Sequence, residues 1–303
     1  MKRTFLILSL FVCTTLRAEQ CLVIGDSLSK EYELEFPALY PRNRAAWDSR
    51  NWAELLHENR KAWFDLGKWS GFADPRLVGH EHNWAFPGAT TSKIKSELSS
   101  WRNVWWTREL QGQVRSAAER VVIFAGGNDV DSYYSAIYNG AASAKYINAT
   151  RDNLRFIVDY VRKVKGTIPI VLVSVPHVGC TPDIQKAHPT DPVKTQRVTA
   201  ALDSLNAQLA LFAKQRGIAF VPGVYELTKS LITQPLRIGG MTFISQADAD
   251  SGPEYLFSGD GFHPNTCAHA KIAPMIIEAF RTRYPASNIT PLGDVEILQT
   301  VLK

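Results

Sequence analysis

Ser27 is the residue best placed to act as a nucleophile. It lies in the stretch CLVIGDSL, residues 21–28, where the apolar run 22–24 stops at Gly25. Glycine permits a tight backbone turn. The turn presents the Asp26 carboxylate and the Ser27 hydroxyl at the end of a predicted buried strand. Ligands of open α/β sheets bind at that end of the strands, so this serine is a candidate for chemistry.

Asp260 and His263 could serve that serine as acid and base. They stand three residues apart in the stretch SGDGFHPN, residues 258–265, whose glycines and proline predict a turn. A carboxylate beside an imidazole fixes its tautomer, and it stabilises the imidazolium formed when the ring takes a proton from a hydroxyl. With Ser27, the chain contains nucleophile, orienting acid and base in the order Ser, Asp, His.

Gly88 and Asn128 could donate hydrogen bonds to a developing oxyanion. In the stretch 123–130, an apolar run leads through two glycines to Asn128, whose amide can face an oxyanion without adding charge. In the stretch 83–91, Gly88 would let its backbone N–H approach a ligand closely, although Pro-Gly is also typical of a plain turn. With the Ser27 N–H these make three donors, which suits a tetrahedral acyl intermediate.

These stretches, taken in order, resemble the successive blocks of the GDSL, or SGNH, hydrolase superfamily. The matching blocks are Gly25-Asp26-Ser27-Leu28, Gly88, Gly126-Gly127-Asn128-Asp129 and Asp260-Gly261-Phe262-His263-Pro264. Together they span nearly the whole chain after its first residues. The resemblance implies a flavodoxin-like α/β/α fold and ester hydrolysis through a serine acyl-enzyme. It implies no metal and no organic cofactor.

The resemblance also implies a role for each matching residue. Ser27 is expected to be the nucleophile, His263 the base, and Asp260 the residue that orients His263. The Gly88 N–H and the Asn128 side chain are expected to form the oxyanion hole together with the Ser27 N–H. Two further motif positions are expected to brace loops rather than to react: Asp26 and Asp129.

Short apolar runs alternate with helix-like stretches along the chain. The predicted strands are 22–24, 121–124, 168–175 and 218–222, with a fifth near 63–66. The predicted helices are 51–61, 107–119, 141–165, 193–215 and 266–283. Unbroken apolar runs favour strands buried on both faces of a parallel sheet. The alternation therefore predicts an α/β fold, a three-layer α/β/α sandwich around a parallel sheet of about five strands.

The first 18 residues have the pattern of a secretory signal peptide. Lys2 and Arg3 precede the apolar run 5–12, and Ala18 is a small residue at a plausible cleavage point. Removing residues 1–18 takes away three positive charges and lowers the formal net charge from +5 to +2. No later run is long enough to span a membrane. We therefore expect a secreted or periplasmic protein with no stable membrane insertion after processing.

Residues 19–303 are predicted to form one hydrolase domain with insertions near 30–51 and 225–259. Long irregular segments in a compact domain usually carry function, so both are expected to wall the substrate site. The chain has no Lys/Arg cluster interleaved with aromatic residues, and we expect no nucleic-acid partner.

Several aromatic residues and histidines are candidates for substrate binding. Trp101 and Trp105 could stack on sugar rings, but their spacing of four residues also suits packing into a core. His177, after a predicted strand, could line the site or pack locally. His80 and His82 flank a glutamate, but no third ligand follows at a suitable spacing, so no metal site is predicted.

Three functions are compatible with this pattern. The first is an exported serine esterase for short-chain or carbohydrate-borne acyl groups, which includes an O-deacetylase. The second is a lipase-like enzyme for long acyl chains, which needs an exposed apolar groove hinted at only by residues 255–257. The third is a non-catalytic carbohydrate-binding protein on the same fold, against which the intact serine, asparagine, aspartate and histidine positions count.

Three cysteines follow the predicted signal peptide: Cys21, Cys180 and Cys267. An odd number in an oxidising compartment allows one disulfide and one free thiol. Cys180 with Cys267 is the preferred pair, because both are expected near the site. Alternatively, all three are small buried apolar residues.

Overall fold

The computed structural model describes residues 18–32, 50–72, 75–100, 104–189, 191–245 and 254–302. The predicted signal peptide at 1–18 lies outside these ranges except for its last residue, and so does most of the predicted insertion at 30–51. No helix within the described ranges is long and apolar enough to cross a membrane.

The described residues form eight strands, ten α-helices and two short 3₁₀ helices at Val178–Cys180 and Pro285–Ser287. The strands are β1 (Gln20–Gly25), β2 (Trp69–Gly71), β3 (Val78–His80), β4 (Ala118–Phe124), β5 (Ile170–Val173), β6 (Ala219–Val221), β7 (Arg237–Ile238) and β8 (Met241–Thr242). The helices are α1 (Trp52–Asn59), α2 (Thr91–Ser99), α3 (Val104–Ser116), α4 (Gly127–Tyr138), α5 (Ala144–Val164), α6 (Pro182–Ala187), α7 (Pro192–Arg216), α8 (Gly223–Ser230), α9 (Thr266–Arg283) and α10 (Asp294–Val301).

Four of these strands form one parallel sheet in the order β1-β4-β5-β6. They correspond to the four strands predicted from the apolar runs, so the predicted α/β class with a central parallel sheet is confirmed. Because parallel strands end at the same edge, the residues that follow them lie along one rim of the sheet. Ser27 follows β1, Asn128 follows β4 and His177 follows β5.

Each central strand packs its alternate side chains against helices on opposite faces of the sheet. In β1, Leu22 and Ile24 pack in a core with α2, α3, α4, α5 and α7, whereas Cys21 and Val23 pack in a core with α1, α8, α9 and α10. All four side chains are buried, and each fully buried aliphatic side chain stabilises the fold by about 1.5–3 kcal/mol. Two helical layers therefore enclose the sheet, as predicted for the three-layer sandwich.

The fifth strand predicted near 63–66 is not a complete strand. Gln20 bridges Asp65 and Val23 bridges Asn83, each in parallel, along the outer edge of β1. Between these two bridges the chain leaves the sheet as the antiparallel hairpin β2–β3. Because the edge is divided between two short pieces, the sheet has four strands rather than about five.

The region 225–259 contains more regular structure than its irregular pattern suggests. It begins inside α8, and β7 and β8 then pair as an antiparallel hairpin. Ile244 bridges Tyr255 in parallel, so the chain returns beside itself before it enters the turn at 258–265. Residues 246–253 lie outside the described ranges.

The three cysteines of the described chain are free and buried. The predicted disulfide between Cys180 and Cys267 is therefore wrong, and the alternative interpretation as small buried residues holds. The thiols of Cys180 and Cys267 lie in different surroundings. The Cys267 Sγ donates to the Tyr255 carbonyl oxygen at 3.2 Å, whereas Cys180 lines a cavity. Burial raises the pKa of both thiols to about 12.

Candidate active site

Ser27 lies in a tight turn that begins where β1 ends. The Asp26 carbonyl accepts hydrogen bonds from the Ser29 and Lys30 amides at 3.0 and 3.1 Å, and the Asp26 Oδ1 accepts one from the Leu28 amide at 3.0 Å. Glycine is required at position 25 because an added Cβ would lie 2.6 Å from the Phe124 carbonyl oxygen on β4. The hydrogen bonds to Asp26 and the close approach of β4 to Gly25 therefore fix the conformation of this turn.

The Asp26 carboxyl supports this turn from a buried position. Burial raises its pKa to about 7, and the nearby Asp129 carboxylate adds to the increase, while the hydrogen bond from the Leu28 amide lowers it. A carboxyl that holds a backbone amide with one oxygen braces the turn, which is the role expected for this motif position.

A buried lysine fastens the same turn to the hairpin β2–β3. Lys30 Nζ donates to the Arg76 carbonyl oxygen at 2.9 Å and to the Val78 carbonyl oxygen, and it lies 3.4 Å from Glu31 Oε2. Glu31 in turn accepts from the His80 amide at 2.8 Å. A buried ammonium is tolerated only when it is paired and hydrogen-bonded. Sequence reasoning missed this role of Lys30, because it treated the residue as the start of a loop.

The Asp260 carboxylate has a different function at each of its oxygens. Its Oδ1 accepts from the Ser258 hydroxyl at 2.5 Å and from the Phe262 and His263 amides at 2.8 and 3.0 Å. Its Oδ2 lies 2.5 Å from His263 Nδ1. Desolvation alone would raise the pKa of Asp260, but the hydrogen bonds and charge of its neighbours, His263 first, lower it to about 2. The carboxylate therefore stays ionised beside the imidazole.

His263 and Ser27 are in contact although 236 positions separate them in the chain. His263 Nε2 lies 2.8 Å from Ser27 Oγ, within the range in which a base can take a proton from a hydroxyl. The structure thus brings Ser27, His263 and Asp260 into one continuous set of hydrogen bonds. Such a set can transfer the hydroxyl proton to the imidazole and stabilise the imidazolium that results.

The backbone amides of Ser27 and Gly88 are free to donate a hydrogen bond to a ligand. Within the described part of the chain, the N–H groups of Ser27 and Gly88 make no hydrogen bond. Gly88 has a positive φ of 67°, a conformation that favours glycine, and an added Cβ would meet nothing within 4 Å. The space beside the Gly88 Cα is therefore open.

Asn128 occupies the first turn of α4. Its Nδ2 donates to the Ala89 carbonyl oxygen at 3.0 Å, which uses one of its two N–H groups. The amide thus holds the loop that carries Gly88 and keeps a second N–H for a ligand. The N-terminal end of a helix favours negative charge, so α4 adds to the electrostatic preference of this rim for an oxyanion.

Asp129, the next residue, ties α4 to the start of α2. Its carboxylate accepts from the Thr91 amide at 2.7 Å and from the Thr91 hydroxyl at 2.6 Å, and Asn153 Nδ2 donates to the same hydroxyl at 3.2 Å. Burial raises the pKa of Asp129, and the Thr91 hydrogen bonds oppose that effect. Together with Asn128, this contact fixes the segment between Gly88 and Thr91. Sequence reasoning missed Thr91, which has no motif signal of its own.

An apolar cavity of about 50 Å³ is lined in part by residues of the two turns that carry Ser27 and His263. Leu28, which follows Ser27, and Phe262 and Pro264, which flank His263, contribute to its lining. The other lining residues come from the rim after β4 and β5 and from α8, the 256–257 segment and α9: Phe124, Pro176, His177, Val178, Cys180, Thr181, Val224, Leu227, Thr228, Leu231, Leu256, Phe257, Ala268 and Ile272.

His177 lines this cavity with its ring nitrogens already engaged. Nδ1 accepts from the Gly179 amide at 3.2 Å, and Nε2 lies 3.0 Å from the Thr199 hydroxyl, which itself donates to a helix carbonyl. This pattern assigns the proton to Nε2. Burial lowers the pKa of His177 to about 4, so the ring is neutral. Because both nitrogens are engaged, the ring carbons are the part of His177 left for the predicted contact with substrate.

Trp101 and Trp105 were candidates for stacking on sugar rings. Trp101 lies outside the described residues. Trp105 is 49% exposed on α3, so core packing is wrong for this residue, and its predicted role as a sugar platform stays a prediction. The neighbouring Trp106 is buried against Trp84, with ring centroids 4.7 Å apart. Within α3, therefore, the residue that packs into the core is one position further along.

An α/β/α sandwich that carries a serine, an imidazole and a carboxylate in contact at the carboxyl edge of its sheet is typical of hydrolases. The chain also matches the family model of the GDSL-like lipase/acylhydrolase family over residues 23–271. It therefore belongs to this family, as its sequence blocks predicted, and it is a hydrolase that acts on ester bonds.

Solved structures of similar fold include enzymes with different substrates. The chain is similar to the extracellular lipase of Streptomyces rimosus (16% identity, 86% of this chain and 100% of that chain, TM-score 0.49). It is similar to phospholipase A1 of Streptomyces albidoflavus (16%, 87% and 100%, 0.47) and to the family 3 carbohydrate esterase of Clostridium thermocellum (16%, 89% and 98%, 0.44). Such distant likeness carries nothing about substrate. No curated protein matches the chain in sequence.

Proposed function

We propose that this protein is an exported serine esterase that hydrolyses carboxylic esters of short acyl groups, carried by small alcohols or by carbohydrates. The observation that carries the proposal is the unbroken set of contacts from Ser27 Oγ through the His263 ring to the Asp260 carboxylate. Export is proposed from the signal-peptide pattern of residues 1–18.

Acylation uses Ser27 as the nucleophile. Its Oγ forms a bond to the carbonyl carbon of the ester while His263 Nε2 takes the hydroxyl proton. The carbonyl oxygen becomes an oxyanion that accepts hydrogen bonds from the Ser27 and Gly88 amides and the Asn128 side chain. The bond to the alkoxy oxygen then breaks, and the imidazolium returns the proton to the departing alcohol.

Deacylation repeats these steps with water. His263 takes a proton from a water molecule, whose oxygen attacks the acyl carbon of the Ser27 ester. Collapse of the second tetrahedral intermediate releases the carboxylic acid, and the proton returns to Ser27 Oγ. Throughout the cycle Asp260 stays ionised, because its pKa is held at about 2, and it stabilises the imidazolium each time it forms.

The long-chain lipase alternative loses the feature that suggested it. Leu256 and Phe257 are buried, at 0% and 2% exposure, and they form part of the wall of a small cavity rather than an exposed groove. Tyr255 is half-buried and its carbonyl accepts from Asn265 Nδ2 at 2.7 Å. Short acyl groups are therefore favoured over long ones.

The carbohydrate-binding alternative leaves the contacts of Ser27 unexplained. A binding protein has no need of a serine hydroxyl 2.8 Å from an imidazole that is itself 2.5 Å from a partly buried carboxylate. Removing a carboxylate from water is costly, and such a cost is typical of sites that do chemistry.

Ester hydrolysis by the wild type and by Ser27→Ala tests the proposal. We expect the wild type to hydrolyse p-nitrophenyl acetate faster than p-nitrophenyl octanoate and to release acetate from acetylated oligosaccharides. We expect Ser27→Ala to lose this turnover with a melting temperature close to that of the wild type. Preference for octanoate would support the lipase, inertness toward every ester would support the binding protein, and wild-type turnover by Ser27→Ala would contradict the mechanism.

A further inference from the structure

We infer that the apolar cavity beside Ser27 is the site of the acyl chain, that it admits chains of up to about four carbons, and that Ile272 on α9 limits its depth. The inference rests on the proposed function and adds to it a boundary on substrate length and the residue that sets it.

The wall of the cavity includes chain neighbours of the reacting groups. Three lining residues are the immediate chain neighbours of the two groups that would react: Leu28 follows Ser27, and Phe262 and Pro264 flank His263. The turns that carry both reacting groups therefore form part of the cavity wall, and we take the cavity as the place of the acyl chain of an ester bound at Ser27 Oγ.

The chemistry of the lining selects the acyl half of an ester rather than a sugar. The wall is almost wholly aliphatic and aromatic. The nitrogens of His177 are already hydrogen-bonded, and the Thr228 hydroxyl is engaged with the His177 amide at 2.8 Å. A sugar hydroxyl placed there would lose its hydrogen bonds to water without replacement. A methylene chain would gain from the transfer.

The lining also holds no group that would be ionised at neutral pH. His177 is neutral because burial lowers its pKa to about 4, and the Cys180 thiol is neutral because burial raises its pKa to about 12. The cavity therefore offers no partner to a charged acyl group such as a dicarboxylic half-ester or an aminoacyl group. The expected acyl group is uncharged.

The size of the cavity sets the length of the chain. A buried water needs about 10–15 Å³ of such space, so a volume of about 50 Å³ has room for roughly three to five groups of methylene size. Along α9, Ala268 lies one turn closer to His263 than Ile272 does, which is about 6 Å of helix rise. Both residues line the cavity, so the Ile272 side chain lies at the end farther from the reacting groups.

Substitution of Ile272 tests the assignment, and the same helix offers a matched control. Ile272 and Ile276 are both buried isoleucines of α9 in the same core, but only Ile272 lines the cavity. We compare kcat/KM for p-nitrophenyl acetate, butyrate, hexanoate and octanoate. For the wild type we expect a maximum at acetate or butyrate and a fall of at least about tenfold at octanoate.

Ile272→Ala is expected to raise the hexanoate-to-butyrate ratio by about fourfold or more, since each accommodated methylene is worth roughly that factor, whereas Ile276→Ala leaves the ratio unchanged. A ratio does not depend on the amount of folded enzyme. Ala268→Val narrows the cavity and is expected to lower the butyrate-to-acetate ratio, with Ala270→Val, buried on the same helix outside the cavity, as its control.

The outcomes separate this inference from the proposed function. Equal ratios in Ile272→Ala and Ile276→Ala, or a wild type that prefers octanoate, would overturn the assignment while Ser27-dependent hydrolysis persisted. If Ile272→Ala does not fold, an unchanged butyrate-to-acetate ratio in Ala268→Val would overturn it instead. Absence of Ser27-dependent hydrolysis for every ester would contradict the proposed function itself.

Discussion

Asp260 acts differently through its two oxygens, and this division determines how its substitution should behave. Oδ1 is fully occupied by the Ser258 hydroxyl and two backbone amides of the turn, whereas Oδ2 faces only the His263 ring within the described contacts. The turn is thus built by one oxygen and the imidazole is oriented by the other. Because the pKa of Asp260 is about 2, its ionisation sets no step in activity above about pH 3.

Asp260→Asn should lower kcat by about 10³–10⁴-fold. Its amide carbonyl can replace Oδ1 in the turn, but its NH₂ would donate to His263 Nδ1 and leave the proton on Nε2, where Ser27 Oγ needs an acceptor. The pH–rate profile and melting temperature of the variant check this.

Ser258→Ala is the comparison for that prediction. It removes one donor to Oδ1 and leaves Oδ2 facing His263, so we expect a loss of only roughly tenfold. Equal losses in the two variants would show that Asp260 does no more than shape the turn.

Among the elements, the proposed oxyanion hole depends on the contact between the starts of α2 and α4. Asn128 holds the Ala89 carbonyl and Asp129 holds Thr91 through two hydrogen bonds. Neither contact involves Ser27 directly. Both fix the Gly88 amide relative to the Asn128 amide, which must converge on one oxygen.

Thr91→Val keeps the shape and the backbone N–H of residue 91 but removes its hydroxyl. We expect kcat for a short ester to fall by about 10–100-fold, since small displacements of a donor are costly, with KM changed little. Thr91→Ser restores the hydroxyl and should recover most of kcat. A loss confined to KM, or a serine variant as slow as the valine variant, would show that the contact serves stability alone.

Some residues of this site could be predicted from the sequence, and others could not. Ser27, Asp260 and His263 were predictable because proton transfer restricts residue types and their surroundings leave a local pattern of glycine and proline. The contact of Thr91 with Asp129 was not, because no local pattern records which helix starts meet. The helix α4 was absent from the predicted helices, because Gly126 and Gly127 mask a helix that begins inside the motif.

The edge of the sheet illustrates the same limit. The apolar pattern near 63–66 favours a strand, and Asp65 does bridge Gln20. The hairpin β2–β3 then interrupts the edge, and it is held by Lys30 from the nucleophile turn. A buried lysine that donates to a carbonyl group 46 positions away leaves no periodic signal in the sequence.

The cavity that we assign to the acyl chain shows the same limit. Its lining residues come from separate segments between Leu28 and Ile272, and no sequence pattern links these segments.

At the scale of the whole molecule, buried carboxyls couple stability to pH. Burial raises the pKa of Glu54 to about 8, and its Oε2 accepts from the Asn51 and Tyr32 amides. A glutamate side chain in the unfolded protein has a pKa of about 4.3. The contribution of a neutral Glu54 to stability is therefore fully present below about pH 4. It is lost as pH rises toward 8, because the unfolded chain ionises first.

Glu54→Gln removes this dependence while its amide oxygen can still accept both hydrogen bonds. We expect its melting temperature relative to the wild type to be higher at pH 8 than at pH 5 by about 3 °C or more, since 1 kcal/mol corresponds to about 2–4 °C in a domain of this size. Glu58→Gln, exposed on the same helix, should show no such difference. A Glu54→Gln offset that is the same at both pH values would contradict the assignment.

Locating the covalent intermediate tests the role of Ser27 as nucleophile most directly. A fluorophosphonate reacts with an activated serine hydroxyl, and mass spectrometry of the digested protein identifies the modified peptide. We expect one adduct per chain on Ser27, prevented in His263→Ala and accompanied by loss of ester hydrolysis. An active enzyme that remains unlabelled, or that carries the adduct on another serine, would contradict the account.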